Sequence, residues 1–264
     1  MRPFVQHWPE YVAESLCLGL FMVSAASFAT LLQHPASPLA FPHPSTWTTR
    51  IPMGAAMGLT LIGIVYSPLG GRSGAHMNPA VTLTFLRLGK VAAADVFGYI
   101  AAQFTGGAAG IIAATWLLRH LPADPSVNFV ATVPGAAGLF VAFAAEAVIS
   151  FGMMLMVLTV SNARRFARMT GVCGGLLIAT YITFEAPLSG MSMNAARTFG
   201  PALLAHTERS LWIYFTAPMV GMLLAAEAFI RARGSAAVVC AKLHHPMHVP
   251  CIFKCGYSNE RVTV

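Results

Sequence analysis

Two ten-residue stretches gather side chains able to do chemistry. Residues 73–82 read Ser-Gly-Ala-His-Met-Asn-Pro-Ala-Val-Thr and residues 189–198 read Ser-Gly-Met-Ser-Met-Asn-Ala-Ala-Arg-Thr, identical at six of ten positions. In each, an asparagine opens a short apolar segment, Asn78–Leu88 and Asn194–Ala205. Asparagine is a strong helix N-cap because its side-chain oxygen accepts from the first free backbone N–H groups. Pro79 falls at the first helical position, where its missing N–H costs nothing. The triplets Asn78-Pro79-Ala80 and Asn194-Ala195-Ala196 therefore predict two helix starts, each with the partial positive charge of a helix N-terminus. Two such ends facing one point orient polar oxygens and repel cations.

Other residues able to act are few. Arg197 lies three residues past Asn194 inside an apolar segment, and a charge at membrane depth is usually functional. Glu14 and Glu146 each sit in an apolar run, where a carboxylate can serve a proton relay; no further ionisable residues extend one. His76 lies two residues before Asn78, as a donor at the mouth of whatever site the two helix ends make or as a pH-sensitive group. The segment after residue 232 holds Cys240, His244, His245, His248, Cys251 and Cys255. Cysteine and histidine at such spacing bind zinc or copper, but there is no CxxC pair. A flexible tail is the plainer expectation, with Cys240, His244, His248, Cys251 and Cys255 as its candidate ligands. The apolar runs contain no nucleophile–base pair or metal set, which argues against an enzyme.

The elements that must position these residues are apolar. Only 9% of the 264 residues are charged and 56% are hydrophobic, whereas a soluble domain carries about 25% charge. The excess of 16 Lys+Arg over 9 Asp+Glu is scattered between apolar runs, not clustered with aromatics, which argues against nucleic acid. Six runs approach the ~20 residues that a membrane-crossing helix needs: Tyr11–Leu32, Ile51–Leu69, Ala92–Leu118, Gly135–Val160, Gly171–Leu188 and Leu211–Ile230. The two Asn-headed segments are too short to span and predict re-entrant half-helices, allowed at that depth only if buried in protein or lining a watery cavity.

Each Asn motif follows the second span of a three-span half. Three is odd, so the halves are inverted relative to each other, a common plan of transport proteins. Basic residues cluster on one side of a six-span arrangement, most densely in Asn162–Thr170, with Arg164, Arg165 and Arg168. Both termini are then expected in the cytoplasm. No cleavable signal peptide is evident before the first run, and the five cysteines do not form a disulfide framework.

The two motifs resemble the signatures of the aquaporin (major intrinsic protein) family over roughly residues 10 to 230. The one departure is Ala195, where the family has proline. The resemblance implies an all-α membrane protein of six transmembrane helices and two re-entrant half-helices in an inverted repeat. It implies a selectivity filter of Arg197 with Met57 (Gly58 as neighbour), Ile182 and Met191, and buried polar roles for Glu14, Glu146 and Gln103. Those filter residues match neither the usual water-channel set nor the glycerol-facilitator set. Thr198, Ala202, Tyr214 and Phe215 resemble the water-channel subgroup.

The resemblance also implies a passive channel for water or small uncharged solutes, a homotetramer in the cell membrane, and no cofactor; zinc is a candidate only for the cysteines and histidines of the tail. The alternative is a secondary transporter on the same repeat plan, which needs a coupling-ion site that is not visible in the spans. The division expected is a channel domain at 1–232, with repeats at about 10–120 and 135–231, and a cytoplasmic tail at 233–264.

Overall fold

The computed structural model describes residues 2–41, 46–246 and 248–257; residues 258–264 of the expected tail lie outside them. Among the described residues, six helices are long and apolar enough to cross a membrane. They are a first span Trp8–Gln33, a second Trp47–Tyr66, a third Ala93–Leu117, a fourth Leu139–Ser161, a fifth Thr170–Phe184 and a sixth Leu211–Arg233. Two short helices, Pro79–Arg87 and Ala195–Leu204, are the half-helices. Among the described residues there is no strand. Large apolar side chains such as Leu59, Phe97, Phe140, Val148 and Leu176 are exposed around the bundle, as on a surface solvated by lipid rather than water.

Helix ends depart from the hydropathy pattern where backbone chemistry overrides it. The second span stops at Tyr66 because Ser67 is extended and its hydroxyl caps a new short helix, Pro68–Ser73. The fourth starts at Leu139 rather than Gly135 because Gly138 has φ of 93°. The fifth ends at Phe184, and a separate turn Ala186–Ser189 follows.

The repeat is visible in the packing. The first span packs on the third, and the fourth on the sixth. The second packs on the fifth across the two halves. A Cβ on Gly106 would lie 2.1 Å from the Ser15 carbonyl, and one on Gly58 would lie 2.5 Å from the Gly175 carbonyl. Small residues thus let backbones touch. Each half-helix packs on the last span of the opposite half: Ala195–Leu204 on the third span, Pro79–Arg87 on the sixth. The two repeats are interlocked rather than side by side.

The tail is not a loose extension. After the sixth span the chain turns at Gly234 and folds back, burying Val238, Cys240, Ala241 and Phe253. This corrects the expectation of a flexible tail. Apolar side chains in the segment find a pocket in the bundle that the sequence does not reveal.

Candidate pore and its entrances

Each half-helix is preceded by the same local structure. Short helices Pro68–Ser73 and Ala186–Ser189 end in Gly74 and Gly190, both left-handed, with φ of 93° and 84°. The loops that follow alternate. Ala75, Met77, Met191 and Met193 have φ between 50° and 56°, a conformation that costs a residue with a Cβ roughly 1–2 kcal/mol. Such strain persists only where the surroundings over-determine it.

Here buried polar groups do so. Ser73 Oγ accepts from Ala75 N, and Ser189 Oγ from Met191 N. Glu14 accepts from Met77 N, and from Gln103 Nε2 at 2.7 Å. Glu146 accepts from Ser192 N and Met193 N, both at 2.7 Å, and from Ser189 Oγ at 2.8 Å. The two carboxylates thus take up backbone N–H groups that the strained loops leave without helical partners. Sequence inspection missed two further anchors: Tyr99 Oη donates to the Ser73 carbonyl and Tyr214 Oη to the Ser189 carbonyl, each at 2.6 Å. Aligning the halves through the spans, with a one-residue gap, would have paired them.

Asn78 and Asn194 cap the half-helices. Asn78 Oδ1 accepts from Ala80 N at 2.9 Å; Asn194 Oδ1 accepts from Ala196 N and Arg197 N at 3.0 and 3.2 Å. Their amides reach across. Asn78 Nδ2 donates to the Met193 carbonyl and Asn194 Nδ2 to the Met77 carbonyl, each at 2.6 Å. Pro79 and Ala195 occupy the equivalent first helical positions, followed by Ala80 and Ala196. The two positive helix ends therefore meet at one point.

On the side away from the termini lies a vestibule of about 320 Å³, whose lining includes Arg50, Met57, Ile182, Met191 and Arg197. Met57 lines it, whereas Gly58 faces the Gly175 backbone. The Arg197 guanidinium donates to Thr132 Oγ1, a partner in the loop joining the two halves that no motif marks. Arg50 also reaches this wall, with Nη1 donating to the Thr183 carbonyl at 2.9 Å and the guanidinium 4.6 Å from the Trp47 ring centre. Glu185, just past the end of the fifth span, is buried.

The entrance on the terminal side differs. His76 is only 3% exposed. Its Nε2 donates to the Ala241 carbonyl at 2.9 Å, so in the neutral tautomer Nδ1 accepts from Thr82 Oγ1 at 3.0 Å. Its ring is stacked between Phe85 and Phe253, with centroids 5.3 and 5.2 Å away. The residue expected at an open mouth thus lies under the tail.

The tail also brings Cys240, His245, Cys251 and Cys255 together, with one ligand atom from each lying within 4.8 Å of every other. The histidine is His245, not His244 or His248. A bend at Leu243–His244 sends His244 to the ring of Tyr66, 4.9 Å between centroids, and His248 is exposed. The hydrogen bond between Cys240 and Cys251 sets the two thiols apart, lowering Cys251 and raising Cys240.

Known proteins resemble this chain in sequence and in fold. The sequence pattern of the Major intrinsic protein family matches residues 3–229. "Aquaporin NIP6-1" of Arabidopsis thaliana is 35% identical over 182 residues, 69% of this chain and 57% of that protein. "Glycerol uptake facilitator protein-like 6" of Lactiplantibacillus plantarum is 34% identical over 220 residues, 82% of this chain and 94% of that one. Matches to four plant relatives span 57% to 62% of their lengths. The solved aquaglyceroporin of Plasmodium falciparum has the same fold, with a TM-score of 0.69 at 19% identity, covering 87% of this chain and 98% of that one. With inverted half-helices, reciprocal asparagines and a match over nearly all of its spans, this multi-pass membrane chain belongs to the major intrinsic protein family.

Proposed function

We propose that the chain is a passive transmembrane channel, not an enzyme, and that it conducts water and small uncharged solutes while excluding protons and ions. The observation that carries this reading is the reciprocal bonding of Asn78 and Asn194 at the meeting point of two helix N-termini. Each terminus carries roughly half a positive charge. In aquaporin-type pores an arginine and the positive ends of half-helices are the established barrier to protons and cations. Arg197, opening onto the vestibule, supplies the arginine in this reading.

Met57, Ile182 and Met191 form the rest of the filter and make it apolar and pliable, since methionine side chains move aside readily. This favours some passage of solutes larger than water. The relatives named as aquaporins and as a glycerol uptake facilitator support testing both classes. His76 occupies the second mouth, and Glu14, Glu146 and Gln103 brace the loops. The excess of basic residues on the terminal side supports cytoplasmic termini in a cell membrane, and family membership supports a homotetramer with one pore per subunit. Channel domain and tail divide near residue 232. Permeation uses no cofactor; a zinc ion belongs to the tail cluster.

Stopped-flow light scattering on proteoliposomes, with water and then glycerol, tests this. A passive channel gives water flux that rises linearly with the osmotic gradient and needs no ion gradient. Saturating flux driven by an ion gradient would instead indicate a transporter.

A further inference from the structure

The family match ends at residue 229, yet the chain beyond it is closely fitted to the bundle. Leu243 N donates to the Gly74 carbonyl at 3.1 Å, and Lys254 N to the Lys90 carbonyl at 2.9 Å. Val239 N donates to Asn162 Oδ1 at 2.6 Å. Lys242 Nζ donates to the Gly71 carbonyl at 2.7 Å and to the Pro250 carbonyl at 2.9 Å. These anchors lie on the first re-entrant loop, behind the first half-helix and in the loop that joins the fourth and fifth spans. The segment therefore bridges one mouth of the bundle from several sides, and Phe253 covers His76.

Nothing regular holds this segment together internally. Its described residues after Ala237 form no helix beyond a turn at the end, and their few backbone bonds include Gly256 N to the Val239 carbonyl at 2.8 Å. Ordering a short irregular chain costs about 1–2 kcal/mol per residue, so a cross-link adds to what its anchors on the bundle supply. The four clustered side chains are such a cross-link. Cys240 Sγ and Cys251 Sγ are 3.6 Å apart, and Cys255 Sγ and His245 Nε2 are 3.2 Å apart. Tetrahedral zinc, with Zn–S of about 2.3 Å and Zn–N of about 2.0 Å, places such atoms about 3.5–3.8 Å apart; the Cys240–Cys251 pair stands at that spacing, the Cys255–His245 pair is closer, and all four atoms lie within 4.8 Å of one another. A disulfide would need about 2.05 Å. Three thiolates and one imidazole form a closed structural set for a soft cation. The ion with three thiolates carries one net negative charge, and the buried ammonium of Lys242 lies between Cys240 and the Cys251 loop to offset it.

We propose that Cys240, His245, Cys251 and Cys255 bind one zinc ion, and that the segment so tied is a stopper over the mouth at His76 that restricts flux while the metal is held. The gating half rests on the reading of the chain as a channel. With zinc in place the loop from Cys240 to Cys255 is rigid and Phe253 stays on His76. Without it the loop loses its cross-link, Phe253 leaves, and the mouth opens.

The test uses the full chain. Purified protein is expected to contain one zinc per chain by elemental analysis. After exchange with cobalt it should show thiolate charge-transfer bands and intense visible bands of a tetrahedral ion. Cys251→Ser and Cys255→Ser should lose both signals. In proteoliposomes, a membrane-permeant chelator should raise water permeability several-fold in the wild type, reversed by added zinc. The two serine variants should be high from the start and indifferent to zinc. Phe253→Ala keeps all four ligands, so it should hold zinc and still conduct several-fold more; size-exclusion chromatography checks that each variant keeps the wild-type oligomer. Absence of stoichiometric metal, or a Cys240–Cys251 disulfide in its place, overturns the zinc site. Conducting liposomes whose flux changes neither on zinc removal nor with Phe253→Ala overturn the stopper alone. If zinc is bound but no form conducts above empty liposomes, the channel reading fails together with the gate.

Discussion

Asn78 and Asn194 are tied through each other's loops: the amide of each donates to the carbonyl preceding the other, both at 2.6 Å. Each side-chain oxygen meanwhile caps its own half-helix. One asparagine thus serves its own repeat with oxygen and the opposite repeat with nitrogen. This double use fixes both helix starts against one another at the point where the two half-helices meet.

Ala195→Pro tests whether the second start tolerates the ring found in the first. Proline needs an extended residue before it. Asn194 already has φ of −152° and ψ of 110°, close to the −153° and 122° of Asn78 before Pro79. The caps of Asn194 fall on Ala196 and Arg197, so the lost N–H serves neither. Water permeability should stay within about two- to three-fold, and stability should rise by about 0.4–1 kcal/mol through the stiffer unfolded chain. A misfolded product by size-exclusion chromatography would show that proline does not fit there.

The two buried glutamates should not be equivalent. Glu146 uses both oxygens, Oε1 for Ser189 and Ser192 and Oε2 for Met193. In Glu146→Gln an amide N–H must face a donor. That costs at least one bond to a charged group, about 1.5–3 kcal/mol. At Glu14 the bonds from Met77 and Gln103 both fall on Oε1, so Glu14→Gln can turn its amide away. Thermal unfolding in detergent should show a clearly larger drop for Glu146→Gln. Equal drops, or the reverse order, would discard this account of the loops.

Arg197→Ala removes both the charge at the vestibule and the guanidinium held by Thr132. Proton leak, read with a pH-sensitive dye inside liposomes, should rise several-fold, and larger neutral solutes should pass more readily. Equal proton permeability in mutant and wild type would remove Arg197 from the filter.

Ile182→His should place a polar, rigid wall opposite two flexible methionines. An apolar ring leaves a passing water molecule few hydrogen bonds in exchange for those it gives up, which is a desolvation barrier. The wild type should therefore conduct water slowly with some passage of glycerol and urea. The variant should keep water flux and lower the other two. Unchanged ratios among the three in the same liposomes would mean that Ile182 does not control selectivity.

The half-helices were legible because a few strong local signals agree. Asn78 and Asn194 are caps that any helix start would use, and the segments behind them are too short to span. The ends of the spans were less legible. Ser67 and Gly138 mark boundaries set by single backbone conformations inside apolar runs, which hydropathy averages away. In the tail, cysteine and histidine content pointed to ligands, but only a bend in the chain selects His245 over His244.

By itself, then, the amino-acid order determined the number of spans, the inverted repeat, the two helix starts and the residue types that face one another there. These follow from local properties: residue-by-residue transfer to lipid, capping, and the odd number of spans per half. Only the tertiary structure decided which groups meet across long separations. It set each half-helix against the opposite repeat, bound Arg197 to Thr132 and the tyrosines to the serine carbonyls, and laid Phe253 over His76. Such pairings depend on close packing and on satisfying buried polar groups everywhere at once, and no window of neighbouring residues contains that information.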